Sequence, residues 1–251
     1  MKTKVLLPFF AFAFLVLAVG LACGLATTVT PAPTVMIPPT LPPQQPTQPP
    51  QPTLPPQPTA TEEIPAYFTE DFMNDSLPNW SYFLMNGDEN EMSITTGGHY
   101  LSFDLEGENI WVYLMYKPYT YADVRLDALV ENRGKNTNNV SFICRSNEDG
   151  WYEFNIFNSG IYNILAYSSI NNTYYRIADG GSAAIKTGTD TNEYTIFCVD
   201  NTLALYINGT EVKTIDDTKY NYREGLVGIG VSSFEVLPII VDWDYVTISE
   251  P

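Results

Sequence analysis

The stretch Leu203-Ala-Leu-Tyr-Ile-Asn-Gly-Thr-Glu-Val-Lys-Thr-Ile215 decides the fold class. Two short strand-like runs flank Asn208-Gly209, and these are the residue types that accept the positive φ angles of a two-residue hairpin loop. The reading is an antiparallel β-hairpin. Outward from it the same period of two recurs. Ala122, Val124, Leu126, Ala128 and Val130 alternate with Asp123, Arg125, Asp127 and Glu131, the pattern of a half-buried strand. Comparable runs fill residues 109–117, 139–145, 151–158, 193–199 and 239–248. Turn chemistry at Asn86-Gly87, Asp149-Gly150, Ser159-Gly160 and Asp179-Gly180-Gly181 separates them. No dozen residues carry helical spacing. The expectation is an all-β domain, an antiparallel two-sheet sandwich, over residues 66–251.

The first 65 residues read differently. Met1-Lys-Thr-Lys4 is followed by 18 uncharged residues, Val5 to Ala22, interrupted by Pro8, which is the layout of a secretory signal over residues 1–26. Three fates compete for it. Gly20-Leu21-Ala22-Cys23-Gly24 resembles a bacterial lipobox with Gly20 and Leu21 in reversed character, which would make Cys23 a lipidated first residue. Cleavage after Gly24-Leu25-Ala26 would instead release the chain, and an uncleaved segment of this length just spans a bilayer. From Thr27 to Thr61, 13 Pro, 9 Thr and 5 Gln leave too little apolar surface to offset ordering entropy, so residues 27–65 read as a disordered Pro/Thr-rich spacer biased to polyproline II. The expected location is outside the cell, as a surface lipoprotein or membrane-anchored domain.

Charge narrows the partners. The chain has 251 residues and a net charge of −17, and all 29 acids lie after Thr61. A surface of that sign repels phosphate backbones, which excludes nucleic acid, and it leaves the membrane as a partner only through the N-terminal anchor. One histidine and three cysteines do not furnish a zinc or iron-sulfur site. Cys144 and Cys198 are the two cysteines of the exported domain. In an oxidising compartment such a pair reads as a disulfide, the alternative being two buried thiols that never meet.

Phe68-Thr-Glu-Asp-Phe72 with Trp80 resembles the first strand of concanavalin A-like lectin/glucanase jelly rolls. Cys144-Arg145, Asp149-Gly-Trp-Tyr-Glu-Phe154, Leu205-Tyr-Ile-Asn-Gly209, Gly225-Leu-Val-Gly-Ile-Gly230 and Trp243-Asp-Tyr-Val246 are similar to later strands of the same group, and closest to its laminin-G-like and sugar-hydrolase-like modules. The resemblance implies a jelly-roll sandwich. It does not carry an activity with it.

The Glu-x-Asp-x-Glu strand that the resemblance would imply for a retaining glucanase is absent. Glu89 and Glu91 read as a solvated turn and His99 as a surface histidine, so no catalytic residue is assigned. In the resembling folds the first and last strands are neighbours, which would bring Glu70, Asp71, Asp242 and Asp244 together as a structural calcium site. Solvated strand-edge acids are the competing reading. No other cofactor is implied. Trp80, Trp111 and Trp243 sit in apolar strand contexts and read as core, while 17 tyrosines are more than a core readily hides. Tyr113, Tyr162, Tyr167, Tyr174 and Tyr175, with Asn163, are the candidates for stacking on sugar rings and binding their hydroxyls. The expected function is a tethered, non-catalytic carbohydrate-binding module with an extracellular glycan or polymer as partner. The alternatives are a glycoside hydrolase of the concanavalin A-like group and an adhesion domain with a protein partner.

Overall fold

The computed structural model describes residues 63–135 and 138–251. The signal segment with Cys23 and nearly all of the spacer lie outside the described residues. The strands in chain order begin with β1 (Phe68–Glu70), β2 (Trp80–Asn86), β3 (Met92–Gly97), β4 (Tyr100–Leu105) and β5 (Trp111–Tyr116). There follow β6 (Val124–Asn132), β7 (Asn138–Ser146), β8 (Gly150–Phe157), β9 (Ile161–Ser168) and β10 (Thr173–Gly181). The last five are β11 (Thr191–Val199), β12 (Thr202–Ile207), β13 (Thr210–Asp216), β14 (Leu226–Ser233) and β15 (Ile239–Ser249). The one helical element among the described residues is a 3-10 turn at Glu89–Glu91, capped by Asp88.

Two antiparallel sheets form the sandwich. One runs β13-β12-β11-β6-β15-β4-β3, with β1 paired to β15, and the other runs β10-β9-β8-β7-β14-β5-β2. The deciding hairpin is β12–β13, and Asn208 (φ 51°) and Gly209 (φ 74°) both take the left-handed angles expected of them. Alternation sorts the faces: Val124, Leu126, Ala128 and Val130 of β6 are buried against the other sheet while Arg125 and Asp127 pair with each other outside. Each large aliphatic side chain so buried contributes about 1.5–3 kcal/mol. A register slip by one residue would exchange that set for charges, which is why the register is fixed.

Cys144 of β7 and Cys198 of β11 are joined, with Cα atoms 6.6 Å apart and a sequence separation of 54. Because β7 and β11 belong to different sheets, the bond staples the two layers together through the core. Closing a loop of that length removes denatured-state entropy worth about 4 kcal/mol.

At the start of the domain, three tyrosines from the segment after β5 and its end hold the incoming chain. The hydroxyls of Tyr119, Tyr116 and Tyr121 donate to the successive carbonyls of Ile64, Pro65 and Ala66. This clamp fixes the entry to β1.

Two expectations are corrected. Asp179-Gly180-Gly181 is not a turn but the end of β10; a Cβ on Gly180 would stand 2.7 Å from the Tyr162 hydroxyl, so the glycine answers a close approach rather than a bend. Trp111 is not core. Trp80 and Trp243 are buried between the sheets, but Trp111 points to the outer face of the second sheet.

Candidate functional site

The outer face of the seven-stranded sheet is built by strands that are buried on both sides. In β5, Val112, Leu114 and Tyr116 enter the core, so Trp111, Tyr113 and Met115 must face outward. In β8, Tyr152, Phe154 and Ile156 enter the core, and Trp151, Glu153, Asn155 and Phe157 face outward. Register then sets neighbours: Trp111 lies opposite Ser232, Ser232 opposite Asn139, and Asn139 opposite Phe157. Asn155 lies opposite both Ser141 and Asn163.

Gly228 and Gly230 of β14 let side chains cross the sheet. A Cβ on Gly230 would stand 2.6 Å from Cδ1 of Tyr113, and one on Gly228 would stand 2.3 Å from Sδ of Met115. Tyr113 therefore lies flat over β14, and its hydroxyl donates to Oε1 of Glu153 at 2.8 Å, three strands away. Indole Nε1 of Trp151 donates to Oε2 of the same carboxyl at 3.0 Å. The Ser141 hydroxyl donates to Oδ1 of the neighbouring Asn155, and the Tyr113 and Tyr174 hydroxyls are 3.3 Å apart. Glu153 is 1% exposed. Its burial raises its pKa above the usual carboxylate range, and the surrounding donors pull the other way. The same burial, reinforced by Glu153, pushes Tyr113 well above the ordinary phenol value, so it is a donor and not a nucleophile.

Beside this network lies a groove of about 300 Å³, at the small end of the range for ligand pockets. Trp111, Tyr174 and Phe157 line it together with Asn139, Asn155 and Asn163, and Arg176 stands at its side. Phe157 stacks on Phe234, with ring centroids 5.7 Å apart. Two groove atoms are buried with no hydrogen-bond partner in the protein: Nε1 of Trp111 and Oδ1 of Asn139. Glu153 is the one acid among the described lining residues. Glycoside hydrolysis by the usual route needs two carboxyls about 5–9.5 Å apart across the bond to be cut.

Of the candidates named from sequence, Tyr113, Tyr174 and Asn163 meet in this groove. Tyr167 stands behind it, stacked on Trp151 at 4.0 Å, with its hydroxyl bonded to Asn172. Tyr162 and Tyr175 belong elsewhere. Tyr162 packs in the inter-sheet core, because alternation along β9 turns it inward with Ile164 and Ala166. Tyr175 follows Tyr174 in β10, takes the opposite face, and stacks on Tyr220. Sequence reading missed Glu153, Asn139, Asn155, Phe157, Arg176 and Phe234. A lone acid at period two between Trp151 and Asn155 was the available signal.

The fold is similar to that of several solved glucanases. By comparison of structures the chain is similar to a Bacillus licheniformis β-glucanase, at 13% identity over 75% of this chain and 100% of that one, TM-score 0.55. It is also similar to a β-1,3-glucanase from Mycobacterium marinum, at 9% identity over 75% and 100%, TM-score 0.52. A third likeness is to a GH16 protein of a Bacteroides ovatus mixed-linkage glucan locus, at 13% identity over 72% and 99%, TM-score 0.52. At such identities the likeness is one of fold. No protein-family model and no curated protein matches the chain.

The four acids weighed for calcium are dispersed. Among the described residues no three of His, Cys, Asp and Glu come together to hold a metal ion. β1 does lie beside β15, as expected, but β15 is bulged between Trp243 and Tyr245, which breaks the alternation that would align Asp242 with Asp244. Asp242 pairs with Arg133, Glu70 accepts from Trp80 Nε1 at 3.4 Å, and Asp71 accepts from the Met73 backbone at 3.2 Å. Glu89 accepts from the Tyr82 hydroxyl, and His99 is exposed at the β3–β4 turn with φ 74°.

Proposed function

We propose that the domain binds carbohydrate without cleaving it, in the groove on the outer face of the seven-stranded sheet, and that it does so outside the cell on an N-terminal anchor. The observation that carries this reading is the lining itself. Aromatic rings of Trp111, Tyr174 and Phe157 stand beside the amides of Asn139, Asn155 and Asn163, which combines apolar ring faces with hydroxyl-binding groups. The one acid among the described lining residues is engaged by donors of its own scaffold. The inter-sheet disulfide supports an oxidising compartment, and the similar proteins are glucanases by name, which makes a neutral glucan the first ligand to try.

The test is a glycan panel applied to the full-length chain, with reducing-end release measured on every sugar retained. Retention without release supports the proposal. Release abolished by Glu153→Gln would replace it with the hydrolase reading, which has the buried groove acid in its favour. Silence on every sugar would move the search to a protein partner.

A further inference from the structure

The groove is closed along one side. Tyr113, Met115, Ile143, Trp151 and Tyr167 form a buried cluster on the outer face of the sheet, each less than a tenth exposed. Tyr174 adds a wall between that cluster and the groove: it reaches Trp111 at 6.2 Å between ring centroids and Tyr113 at 3.3 Å between hydroxyls. A polysaccharide crossing the sheet would have to run through these rings. What remains open is a pocket with Phe157 and Phe234 as an apolar platform and Ser232 between the two unpartnered groups.

Those two groups differ in kind. Nε1 of Trp111 is a donor only, and Oδ1 of Asn139, on a side chain 4% exposed, is an acceptor only. A hydroxyl is both donor and acceptor, so one class of ligand group satisfies both. Every unit of a neutral saccharide carries such hydroxyls, and a chain end adds one where an interior unit has a glycosidic oxygen, which accepts but cannot donate; the ring wall of Tyr174 and the buried cluster, not the hydroxyls, turns a passing chain away. Anionic saccharides meet a chain of net charge −17 and gain only Arg176, which already pairs with Asp179 at 3.9 Å.

We propose that this pocket receives the free end of an uncharged saccharide, its hydroxyls pairing with Nε1 of Trp111 and Oδ1 of Asn139, and does not hold the interior of a polysaccharide chain. This rests on the carbohydrate-binding reading above and narrows it.

The experiment is calorimetric titration of the full-length chain with β-glucan, xylan, galactan and fructan oligosaccharides from disaccharide to hexasaccharide, with oligogalacturonate as the acidic counterpart. Affinity for the retained neutral series should level off after the shortest members. Trp111→Phe, which keeps a ring and removes the N–H, and Asn139→Leu should each weaken binding about tenfold, with urea midpoints showing that both variants fold. Affinity that keeps rising with each added unit, preference for oligogalacturonate, or unchanged binding by both folded variants would overturn this inference while leaving carbohydrate binding intact. Failure of the wild-type chain on every series would overturn both.

Discussion

Trp111 and Tyr174 meet edge to face, 6.2 Å between ring centroids, although four strands of one sheet separate β5 from β10. Five strand spacings on a flat sheet would part their backbones by about 24 Å. The sheet must curl toward its outer face for the rings to touch, so the groove is made by curvature as much as by side chains.

Removing one partner of that contact opens the wall. Tyr174→Ala should weaken saccharide binding by about 2 kcal/mol, more than tenfold in Kd, because it deletes a ring and the hydroxyl beside Tyr113. Tyr175→Ala, on the opposite face, should leave affinity unchanged. Equal losses in titration would contradict the face assignment.

Gly230→Ala should displace Tyr113 from Glu153. The added Cβ would stand 2.6 Å from the Tyr113 ring and 2.7 Å from the Val112 carbonyl, an overpacking that costs about 1–3 kcal/mol. Chemical denaturation should register the loss of stability, and titration a loss of binding. Gly209→Ala meets nothing within 4 Å and strains only a turn of φ 74°, so it should lose some stability and keep binding.

The pH dependence of stability should carry the mark of Glu153. Burial raises its pKa above the ordinary glutamate value, so the folded chain keeps this proton where the unfolded chain has released it. Across that window the folded state binds more protons, and the contribution of Glu153 to stability falls as pH rises from the ordinary Glu value through the raised one. Glu153→Gln, which mimics the protonated form, should remove that decline. Urea midpoints over mildly acidic to neutral pH should therefore fall more steeply in the wild type than in the variant; parallel curves would show that Glu153 is not held above its usual range.

Replacing Cys144 and Cys198 together by Ala should cost about 4 kcal/mol by the loop-entropy argument, visible as a lowered denaturation midpoint. A much smaller loss would mean that packing alone holds the two sheets in register.

The fold was legible because most strands announce a face. Val124, Leu126 and Ala128 alternate with the charged Arg125 and Asp127, and Asn208-Gly209 names its own turn type, so neither depends on distant partners. The site was half legible for the opposite reason. Trp111-Val-Tyr-Leu-Met-Tyr116 is apolar at every position, and alternation cannot say which half is core. Trp111 and Tyr113 thus exchange roles with Val112 and Leu114 without any change in pattern. Tyr162 and Tyr174 look alike as exposed tyrosines, and only register and curvature separate a core residue from a groove wall. Glu153 was hidden because the Tyr113 donor comes from β5, three strands away from β8, a convergence that no local window contains.

The tyrosine clamp on Ile64, Pro65 and Ala66 has a mechanical consequence. Tension applied upstream of residue 63 reaches the sandwich first through three phenol contacts, each worth about 1 kcal/mol, and then through a strand only three residues long. That corner acts as a fuse: under load β1 would peel from β15 before the stapled layers part, paying out a few residues while the groove stays whole.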